Sequence, residues 1–431
     1  MRSPRFAPFA FACAALVFYP AATKALEPPN GETVVIGSAG EVIRLRSDFI
    51  APGDQRSFPS IVGTLENELL FSARNYGSAI DPSLWTVTGD VVSPVAIANN
   101  QPLEPIVYQP SAAYAGKLYF NSGSRLSTRQ AWQYDGSVAE PATDLGLSWF
   151  QDTIEFQGKL YLERYYTSQE VLVFDGSQAQ GITLPAGLRE VEFLYADDQR
   201  MLLSARDSTY GNELWQYDGD QFEHLLDLNP GTDSAYYSDI VAFDGALYFT
   251  ASVDGIPNLW RLEQDGATQL SPTGVSATSL TVYDGELYFV SGIESGTSLW
   301  RLDGDSVEEV WRAHAEGFGF VSNLTVFNGL LYSLSNDAVH GEEIWAWDGQ
   351  AARLVADLNA GPAGIMGGDP FDLQMTQLGN QLFFIPGTGA VGGELWSLTP
   401  VPEPSAVWLG ILGLTAAVAG RQGIKQAGQA A

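Results

Sequence analysis

Cysteine, basic residues and long apolar runs are scarce in this 431-residue sequence. Its single cysteine, Cys13, excludes any disulfide within the chain, so the fold must be stabilised by packing alone. Lysine and arginine number 21 against 51 aspartates and glutamates, which gives a formal net charge of -30. A field of this sign repels nucleic acid and anionic membrane surfaces, so we expect no nucleic-acid partner.

Sequence motifs typical of catalytic, metal-binding or phosphate-binding sites are also missing. The three histidines, His224, His314 and His340, lie outside any metal-ligand spacing such as His-Glu-x-x-His. The sequence contains no Gly-x-Ser-x-Gly nucleophile elbow and no phosphate-binding loop. Among 51 acidic residues some pair of carboxylates always lies at a suitable distance for glycoside hydrolysis, so their abundance indicates nothing.

What the chain does contain is glycine and proline, at 45 and 23 residues, together with 45% hydrophobic residues. The two turn-forming residues indicate many tight turns, and the apolar fraction is ample for a core. This composition favours many short strands over long helices, and we therefore expect an all-β protein.

The N-terminus has the pattern of a secretory signal peptide, which we assign to residues 1–25. Arg2 and Arg5 precede an apolar run that extends from Phe9 to Tyr19, and Thr23-Lys24-Ala25 resembles a small-x-small cleavage site. The alternative is an uncleaved anchor, but the run is shorter than the ~20 residues that a membrane span needs. Either interpretation predicts an exported protein.

The C-terminus contains a second targeting pattern. Val-Pro-Glu-Pro at 401–404 is followed by an uncharged stretch at 405–420 and then by Arg421. Prolines keep the motif extended, the apolar stretch halts in a membrane, and the positive charge stays on the cytoplasmic side. The alternative, a plain C-terminal membrane anchor, has the same topology. In both cases the membrane is a partner only through this C-terminal segment.

Residues 401–431 resemble the PEP-CTERM sorting signal of Gram-negative bacteria. The resemblance rests on Pro402, Glu403 and Pro404, the short transmembrane segment 405–420 and Arg421. It implies that an exosortase-type transpeptidase and the export machinery are partners, and that the protein is cleaved near the motif and delivered to the cell surface or extracellular matrix.

Between the two ends, a repeat marked by Trp-x-x-Asp-Gly recurs at intervals of 40 to 51 residues. A second marker, a strand of the Leu-Tyr-Phe type such as KLYFNS at 117–122, precedes each copy. Leu172 occupies the marker position in a copy without tryptophan. The tryptophans of the other copies are Trp85, Trp132, Trp215, Trp260, Trp300, Trp345 and Trp396.

Each unit reads as four short strands joined by Asp-Gly and glycine-rich turns of the kind that close two-residue hairpins. Units of 40 to 50 residues with four antiparallel strands are the signature of propeller blades. We therefore predict a β-propeller over residues 26–400 with eight four-stranded blades. Seven is the alternative count, if the unit around Leu172 is not a true blade.

The ends of the array predict how the ring closes. The last unit stops after Trp396 without a fourth strand, while the segment at 42–71 begins with an orphan strand. Alignment of 42–71 with 224–249 places the orphan on a fourth strand. We expect the N-terminal strand to complete the last blade, which removes sheet edges that invite aggregation.

Residues 42–398 resemble the ELWxxDGT repeat, a bacterial secreted family related in pattern to kelch and hyalin-type repeats. The phrases that carry the resemblance are GNELWQYDG at 211–219, LLDLNPG at 225–231 and LVADLNAG at 354–361. The threonine that follows Asp-Gly in the family is absent here. The resemblance supports the fold and implies no catalytic residue.

The periodic residues allow two interpretations each. The tryptophans are sized to fill the space between blades, and the alternative is a sugar-stacking platform formed by one or two exposed members. Carboxylates paired in glycine-rich loops suit calcium, whereas aspartate is also simply a good turn residue. The candidate calcium ligands are Asp218, Asp220, Asp303 and Asp305, with Asp369 and Asp372 as a third pair.

The sequence therefore predicts a non-enzymatic binding or structural module at the cell surface or in the matrix. Its ligand would be an extracellular polysaccharide or a surface protein, and calcium is the one cofactor that the residues suggest. The alternative is a secreted carbohydrate-active hydrolase or lyase whose site lies in the central funnel of the ring.

Overall fold

The computed structural model describes thirteen stretches of the chain: 34–46, 59–73, 83–100, 110–123, 128–164, 170–253, 255–272, 274–293, 296–313, 320–337, 339–359, 375–386 and 393–400, together with residues 103 and 365. These stretches form eight antiparallel sheets. The innermost strands of neighbouring sheets contact one another around the ring. The predicted β-propeller with eight blades is confirmed.

Each blade has four strands, counted outward from the central channel. The innermost strands of blades 1 to 8 are β3 (Ser60–Leu65), β8 (Ser111–Tyr114), β12 (Phe150–Phe156), β16 (Arg189–Ala196), β20 (Tyr236–Phe243), β24 (Thr278–Tyr283), β28 (Val321–Phe327) and β32 (Met375–Leu378). The second strands are β4 (Glu68–Ala73), β9 (Lys117–Ser122), β13 (Lys159–Arg164), β17 (Met201–Asp207), β21 (Ala246–Val253), β25 (Glu286–Ile293), β29 (Leu330–Asp337) and β33 (Gln381–Phe384).

The outer half of each blade consists of a third and a fourth strand. The third strands are β5 (Ser83–Thr88), β10 (Gln130–Tyr134), β14 (Glu170–Phe174), β18 (Gly211–Tyr217), β22 (Ile256–Glu263), β26 (Gly296–Asp303), β30 (Gly341–Trp347) and β34 (Trp396–Thr399). The fourth strands are β6 (Val91–Pro94), β11 (Val138–Pro141), β15 (Ala179–Thr183), β19 (Phe222–Leu226), β23 (Gly266–Gln269), β27 (Ser306–Trp311), β31 (Ala352–Ala356) and β2 (Val42–Leu45).

The ring closes through the N-terminal strand, as the sequence predicts. Strand β2 pairs antiparallel with β34, so that Val42 faces Thr399 and Leu45 faces Trp396. The unit around Leu172 is a complete blade, because β14 pairs with both β13 and β15. The alternative count of seven blades is therefore wrong.

Two blades carry a fifth strand that the sequence analysis missed. Strand β1 (Val34–Ile36) pairs antiparallel with β2 at the outer edge of blade 8. Strand β7 (Ala96–Ile97) pairs in parallel with β11 at the outer edge of blade 2. Two short 3-10 turns, Ala98–Asn100 and Thr143–Leu145, are the helical segments of the described stretches. No helix among these residues is long and apolar enough to cross a membrane.

Two-residue hairpins occur mainly between the first and second strands. Asp244-Gly245 joins β20 to β21, and both residues have positive φ angles, 46° and 77°. Asn328-Gly329 joins β28 to β29 with φ angles of 46° and 73°. Positive φ at both central residues defines the type I′ turn, which matches the twist of the strands.

The Asp-Gly of Trp-x-x-Asp-Gly has a different role from the predicted one in blade 4. The connection from β18 to β19 has four residues, not two, and begins at Asp218. The Asp218 Oδ1 atom accepts hydrogen bonds from the backbone N–H of Asp220 and of Gln221, both at 2.8 Å. The side chain closes the turn, which is why aspartate recurs there. Asp135, Asp175 and Asp348 close equivalent turns.

The glutamate of Glu-Leu-Trp anchors the connection between blades. Glu213 is fully buried, and its carboxylate accepts hydrogen bonds from the N–H groups of Leu228 at 2.8 Å and of Asn229 and Ala235 at 3.2 Å. The Tyr237 hydroxyl donates a fourth at 2.6 Å. A buried carboxylate needs such partners. This pairing explains why Glu-Leu-Trp and Asp-Leu-Asn-Pro-Gly occur in the same repeat.

The core is divided among the interfaces between blades. One cluster joins Leu70 and Leu84 of blade 1 to Phe120 and Trp132 of blade 2. Another joins Tyr332 and Ile344 of blade 7 to Leu382, Leu398 and Trp396 of blade 8. Since each blade buries both faces against its neighbours, the ring is one continuous packed unit.

Gly211, at the start of β18, provides a test of this close packing. Its φ is 75°, and a Cβ atom there would lie 2.1 Å from the Asp233 carbonyl oxygen. We expect Gly211→Ala to lower the free energy of unfolding by about 2–4 kcal/mol, from backbone strain plus the clash. Urea denaturation measures the loss.

The control for Gly211 is Gly245→Ala. Gly245 has a φ of 77°, but a Cβ atom there would meet nothing within 4 Å. This variant isolates the cost of the backbone conformation, about 1–2 kcal/mol. Equal losses in the two variants would contradict the proposed clash with Asp233.

Candidate functional site

The channel end of the innermost strands is shaped by β-bulges. Six innermost strands shift register near their start: β3, β12, β16, β20, β24 and β28. A bulge places extra residues opposite one partner and redirects their side chains. Because each innermost strand receives the connection from the preceding blade at its start, the bulges form a layer at one end of the channel. We call it the bulge layer.

Blade 5 shows the ordinary chemistry of the bulge layer. Ser238 and Asp239 lie between the paired residues Tyr237 and Ile240, opposite Thr250. The hydroxyl groups of Ser238 and Thr250 are hydrogen-bonded to each other. Asp239 Oδ2 accepts a 2.7 Å hydrogen bond from the N–H of Ser279 in blade 6. In blade 5, the carboxylate in the bulge thus ties the blade to the next one.

Blade 3 repeats this arrangement with a second carboxyl group. Asp152 lies in the bulge of β12, and its Oδ2 atom accepts a 3.0 Å hydrogen bond from the N–H of Phe193 in blade 4. Its Oδ1 atom accepts one from the N–H of Thr153 at 2.7 Å. The residue opposite this bulge is Glu163, where blade 5 has Thr250.

A third carboxyl group comes from blade 4. Glu192 pairs with Ser204 in the sheet, and the Ser204 hydroxyl donates to Glu192 Oε2 at 3.4 Å. The Glu192 side chain is exposed, while Asp152 and Glu163 are half-buried. We call Asp152, Glu163 and Glu192 the acidic trio. It lies at the junction of blades 3 and 4 and is open to solvent through Glu192.

The environment changes the protonation of the acidic trio. Burial raises the pKa of Glu163 to about 8, and the nearby carboxylates of Asp152 and Glu192 contribute to the rise. Burial also raises the pKa of Asp152, against the two backbone hydrogen bonds that lower it. Burial, and then Asp152, raise the pKa of Glu192. At neutral pH, Glu163 is therefore largely protonated beside two other carboxyl groups.

Comparison of the blades indicates that Glu163 is not required by the fold. The same position of the second strand holds Ser72, Asn121, Ser204 and Thr250 in blades 1, 2, 4 and 5. Blades 6, 7 and 8 hold Val290, Leu334 and Ile385 there. Since no other blade has a charged group at this position, a glutamate with a raised pKa departs from the repeat. Such departures concentrate at functional sites.

The repeat pattern did not predict the acidic trio, although one signal for it was present in the sequence. Residues 159–164 read KLYLER, whereas the equivalent strands read KLYFNS and RMLLSA. An alignment of the repeats shows the exchange at Glu163. The approach of Asp152 and Glu192 depends on the bulges, which strand periodicity does not reveal.

The repeat tryptophans lie on the third strands at the interfaces between blades. Trp132, Trp215 and Trp396 are buried, and Trp85, Trp260, Trp300 and Trp345 are half-buried. Each shares a hydrophobic cluster or a ring contact with the preceding blade. Trp215, for example, clusters with Tyr161 of blade 3, and Trp345 lies 5.4 Å from the ring of Trp311 in blade 6. Leu172 takes this place in blade 3, against Tyr119 of blade 2.

The candidate calcium ligands lie in separate turns at the other end of the blades. Asp218 closes its own turn, and Asp220 is exposed beside it. Asp305 is paired with Arg261 of the preceding blade, next to Asp303. In the part of the chain that the structure describes, no three His, Cys, Asp or Glu side chains are grouped closely enough to hold a metal ion. Asp369 and Asp372 lie outside the described residues.

Two histidines have structural neighbours. His224 stacks on Tyr210 with ring centroids 3.9 Å apart, and its pKa is lowered by burial. His340 Nδ1 lies 2.7 Å from Asp337 Oδ2 in the connection between β29 and β30. His314, the signal peptide 1–25, the motif Pro402-Glu403-Pro404, the segment 405–420 and Arg421 lie outside the described residues.

No family model and no curated protein matches the chain. Solved structures share its architecture at low identity. A prolyl endopeptidase is 10% identical with a TM-score of 0.49, over 77% of this chain and 55% of that one. A puromycin hydrolase is 16% identical with a TM-score of 0.47, over 80% of this chain and 61% of that one.

A third similar structure is a propeller by itself. The β-propeller domain of the Trilobed protease from Pyrococcus furiosus is 11% identical with a TM-score of 0.45, over 71% of this chain and 99% of that one. The chain spans only 55% and 61% of the lengths of the endopeptidase and the hydrolase. Likeness at this level carries no argument about activity.

The raised pKa of Glu163 predicts a pH dependence of stability. The unfolded chain loses this proton near pH 4, whereas the folded chain keeps it up to about pH 8. The free energy of unfolding of the wild type should therefore fall, relative to Glu163→Gln, as pH rises from 4 to 8. We expect a change of about 2 kcal/mol after solvent screening, measured by urea denaturation across this range.

The matched control for this pH series is Glu155→Gln, which removes an exposed carboxylate from the neighbouring strand β12. Its stability should run parallel to that of the wild type. If Glu163→Gln also runs parallel to the wild type, Glu163 is not protonated in the folded state.

Proposed function

We propose that this chain is an exported β-propeller that acts as a non-enzymatic binding module at the cell surface or in the extracellular matrix. Its ligand is an extracellular polysaccharide or a surface protein, bound at the end of the channel that contains the bulge layer. The observation that supports this most strongly is the acidic trio, which departs from the repeat and opens to solvent through Glu192.

The chemistry of the trio suits recognition of polar ligands. Carboxylates accept hydrogen bonds from sugar hydroxyls and attract basic side chains, and bonds to a charged group are the stronger ones. Glu163, when protonated, also donates a hydrogen bond. The surrounding ring is closed through β2 and packed at every interface between blades, so the three groups are held on rigid strands.

Several other acidic and histidine side chains support a binder because they are engaged in the fold. Asp218 closes a turn, Glu213 anchors a connection, and His340 contacts Asp337. Each of these groups has a structural partner, so none requires a catalytic explanation.

Measurement of polysaccharide binding tests the acidic trio as the ligand site. We expect a purified residue 26–400 chain to bind the extracellular polysaccharide of its own host, measured by calorimetry. Glu163→Gln and Asp152→Asn should each weaken binding about tenfold, because each alters the hydrogen-bonding groups of the trio. The control, Asp220→Asn, removes an exposed carboxylate at the opposite end of the blades and should bind as the wild type does.

A polysaccharide that binds the control and all variants equally would show that the trio is not the glycan site. The same calorimetry with the host's surface-protein extract then tests the protein ligand. Loss of binding in the two trio variants alone would support that ligand, and equal binding would place the site elsewhere.

One observation favours a second candidate, a secreted carbohydrate-active hydrolase or lyase. A protonated carboxyl group beside ionisable ones is the arrangement that general acid catalysis of glycoside hydrolysis uses, and Glu163 has such neighbours. A reducing-end assay on the same polysaccharide separates the two functions. Release of reducing ends by the wild type and its loss in Glu163→Gln would favour the hydrolase.

Export and sorting rest on the terminal segments. We expect the exported protein to lack about 25 N-terminal residues and the tail that follows the Pro-Glu-Pro motif, as measured by intact mass from extracellular and membrane fractions. Alanine substitution at 402–404 should retain the tail, because the transpeptidase would lose its recognition motif. A full-length C-terminus in both proteins would contradict sorting and support a simple membrane anchor.

A further inference from the structure

We propose that residues 34–46 form a releasable clasp. When the clasp detaches, the ring opens between blade 8 and blade 1 while the other blades stay folded. The clasp consists of β1, the turn at 37–41, β2 and Arg46. It contacts blades 7, 8 and 1 together, through backbone pairing and two arginine–carboxylate locks. The inference concerns the ring itself and is independent of the proposed ligand.

The first lock joins blade 8 to blade 1. The side chain of Arg46 is only 2% exposed, although it carries a charge. Its Nε atom donates to Ser397 Oγ at 2.6 Å, and its Nη2 atom donates to Asp90 Oδ1 at 2.7 Å. Asp90 lies in the hairpin between β5 and β6, so this one side chain spans the closing interface.

The second lock joins the clasp to blade 7. The Glu41 side chain is 5% exposed and is paired with the guanidinium of Arg353 on β31. Ser38 reinforces the contact, because its N–H donates to the Val355 carbonyl at 2.7 Å and its hydroxyl to the Leu354 carbonyl at 2.5 Å. The turn of the clasp is therefore docked on the fourth strand of the preceding blade.

The backbone of the clasp makes a short pairing. Strands β2 and β34 share four paired positions, extended by the Arg46 N–H, which donates to the Leu395 carbonyl at 2.7 Å. In all seven other blades the fourth strand follows the third directly in the chain, whereas β2 is held to blade 8 by non-covalent contacts alone. Elements of this kind open locally at a lower free energy than the whole fold.

The partners of the two locks are remote in the sequence. Asp90 is 44 residues from Arg46, and Arg353 is 312 residues from Glu41. Loss of the locks therefore leaves the turns and hairpins within the other blades intact. In each lock one member is buried and its partner is more exposed, Asp90 at 67% and Arg353 at 33%. Replacing the buried member removes the contacts that join two blades, and replacing Asp90 leaves the buried Arg46 charge without its carboxylate, so each lock should matter to the closed state.

Hydrogen exchange followed by mass spectrometry tests the clasp in the full-length chain. In Arg46→Gln, we expect amides of 34–46 and 396–399 to exchange about tenfold faster than in the wild type. Peptides from blades 3 to 6 should keep their wild-type rates. Glu41→Gln should have the same pattern, because it opens the second lock.

The matched control is Arg261→Gln. Arg261 also contacts two carboxylates, those of Glu263 and Asp305, but it lies on β22, outside the closing interface. Its variant should leave exchange of 34–46 unchanged. If Arg46→Gln does not yield folded protein, Asp90→Asn weakens the same lock while retaining the bond from Arg46 to Ser397.

Two results would overturn the proposal. In the first, exchange of 34–46 rises in the lock variants only together with that of blades 3 to 6, so the ring melts as one unit. In the second, exchange of 34–46 does not change in any lock variant. The proposal is supported when the increase is confined to 34–46, 396–399 and their immediate neighbours.

Discussion

Closure of the ring by strand β2 is the constraint on which the rest of this structure depends. Every other blade is completed by a fourth strand that follows its third strand in the chain, but blade 8 takes its fourth strand from residues 42–45. The chain forms no disulfide, so packing and hydrogen bonds must hold the two ends of the ring together. The side chain of Arg46 is nearly buried at this junction and donates hydrogen bonds to Ser397 and Asp90.

Repetition simplifies the energetics of the remaining blades. A third-strand tryptophan fills the interface with the preceding blade. Glu213 accepts four hydrogen bonds from the segment that connects its own blade to the next. The tryptophan contact recurs because each blade must bury two faces of one twisted sheet. Glu343 of blade 7 repeats the contact of Glu213, accepting from the N–H groups of Leu358 and Asn359. Glu163 differs from this pattern, since the equivalent positions of the other blades hold neutral side chains. A repeat fold thus makes a site visible as a departure from its own pattern.

The acidic trio and the clasp lie on different parts of the ring and involve different physics. The trio is open to solvent through Glu192, and burial, followed by the nearby carboxylates, raises the pKa of Glu163 and of Glu192, which suits exchange of hydrogen bonds with a ligand. The clasp pairs its buried carboxylate, Glu41, with an arginine, which suits a contact that remains closed. The buried Glu41 carboxylate thus has a guanidinium partner, whereas the neighbours of Glu163 are other carboxyl groups.

The sequence by itself determined the repeat and the closure, because two markers recur in step and the last unit lacks its fourth strand. It predicted eight blades with seven as the alternative, and the pairing of β14 with β13 and β15 decided the count. Periodic patterns report local structure and the alternation of buried faces, so these predictions needed no coordinates. Only the tertiary structure decided that Asp218 closes a turn, that Arg46 spans two blades, and that Asp152, Glu163 and Glu192 approach one another. Those contacts join residues from different blades or depend on bulges, and neither inter-blade distance nor a shift of strand register is encoded in a local pattern.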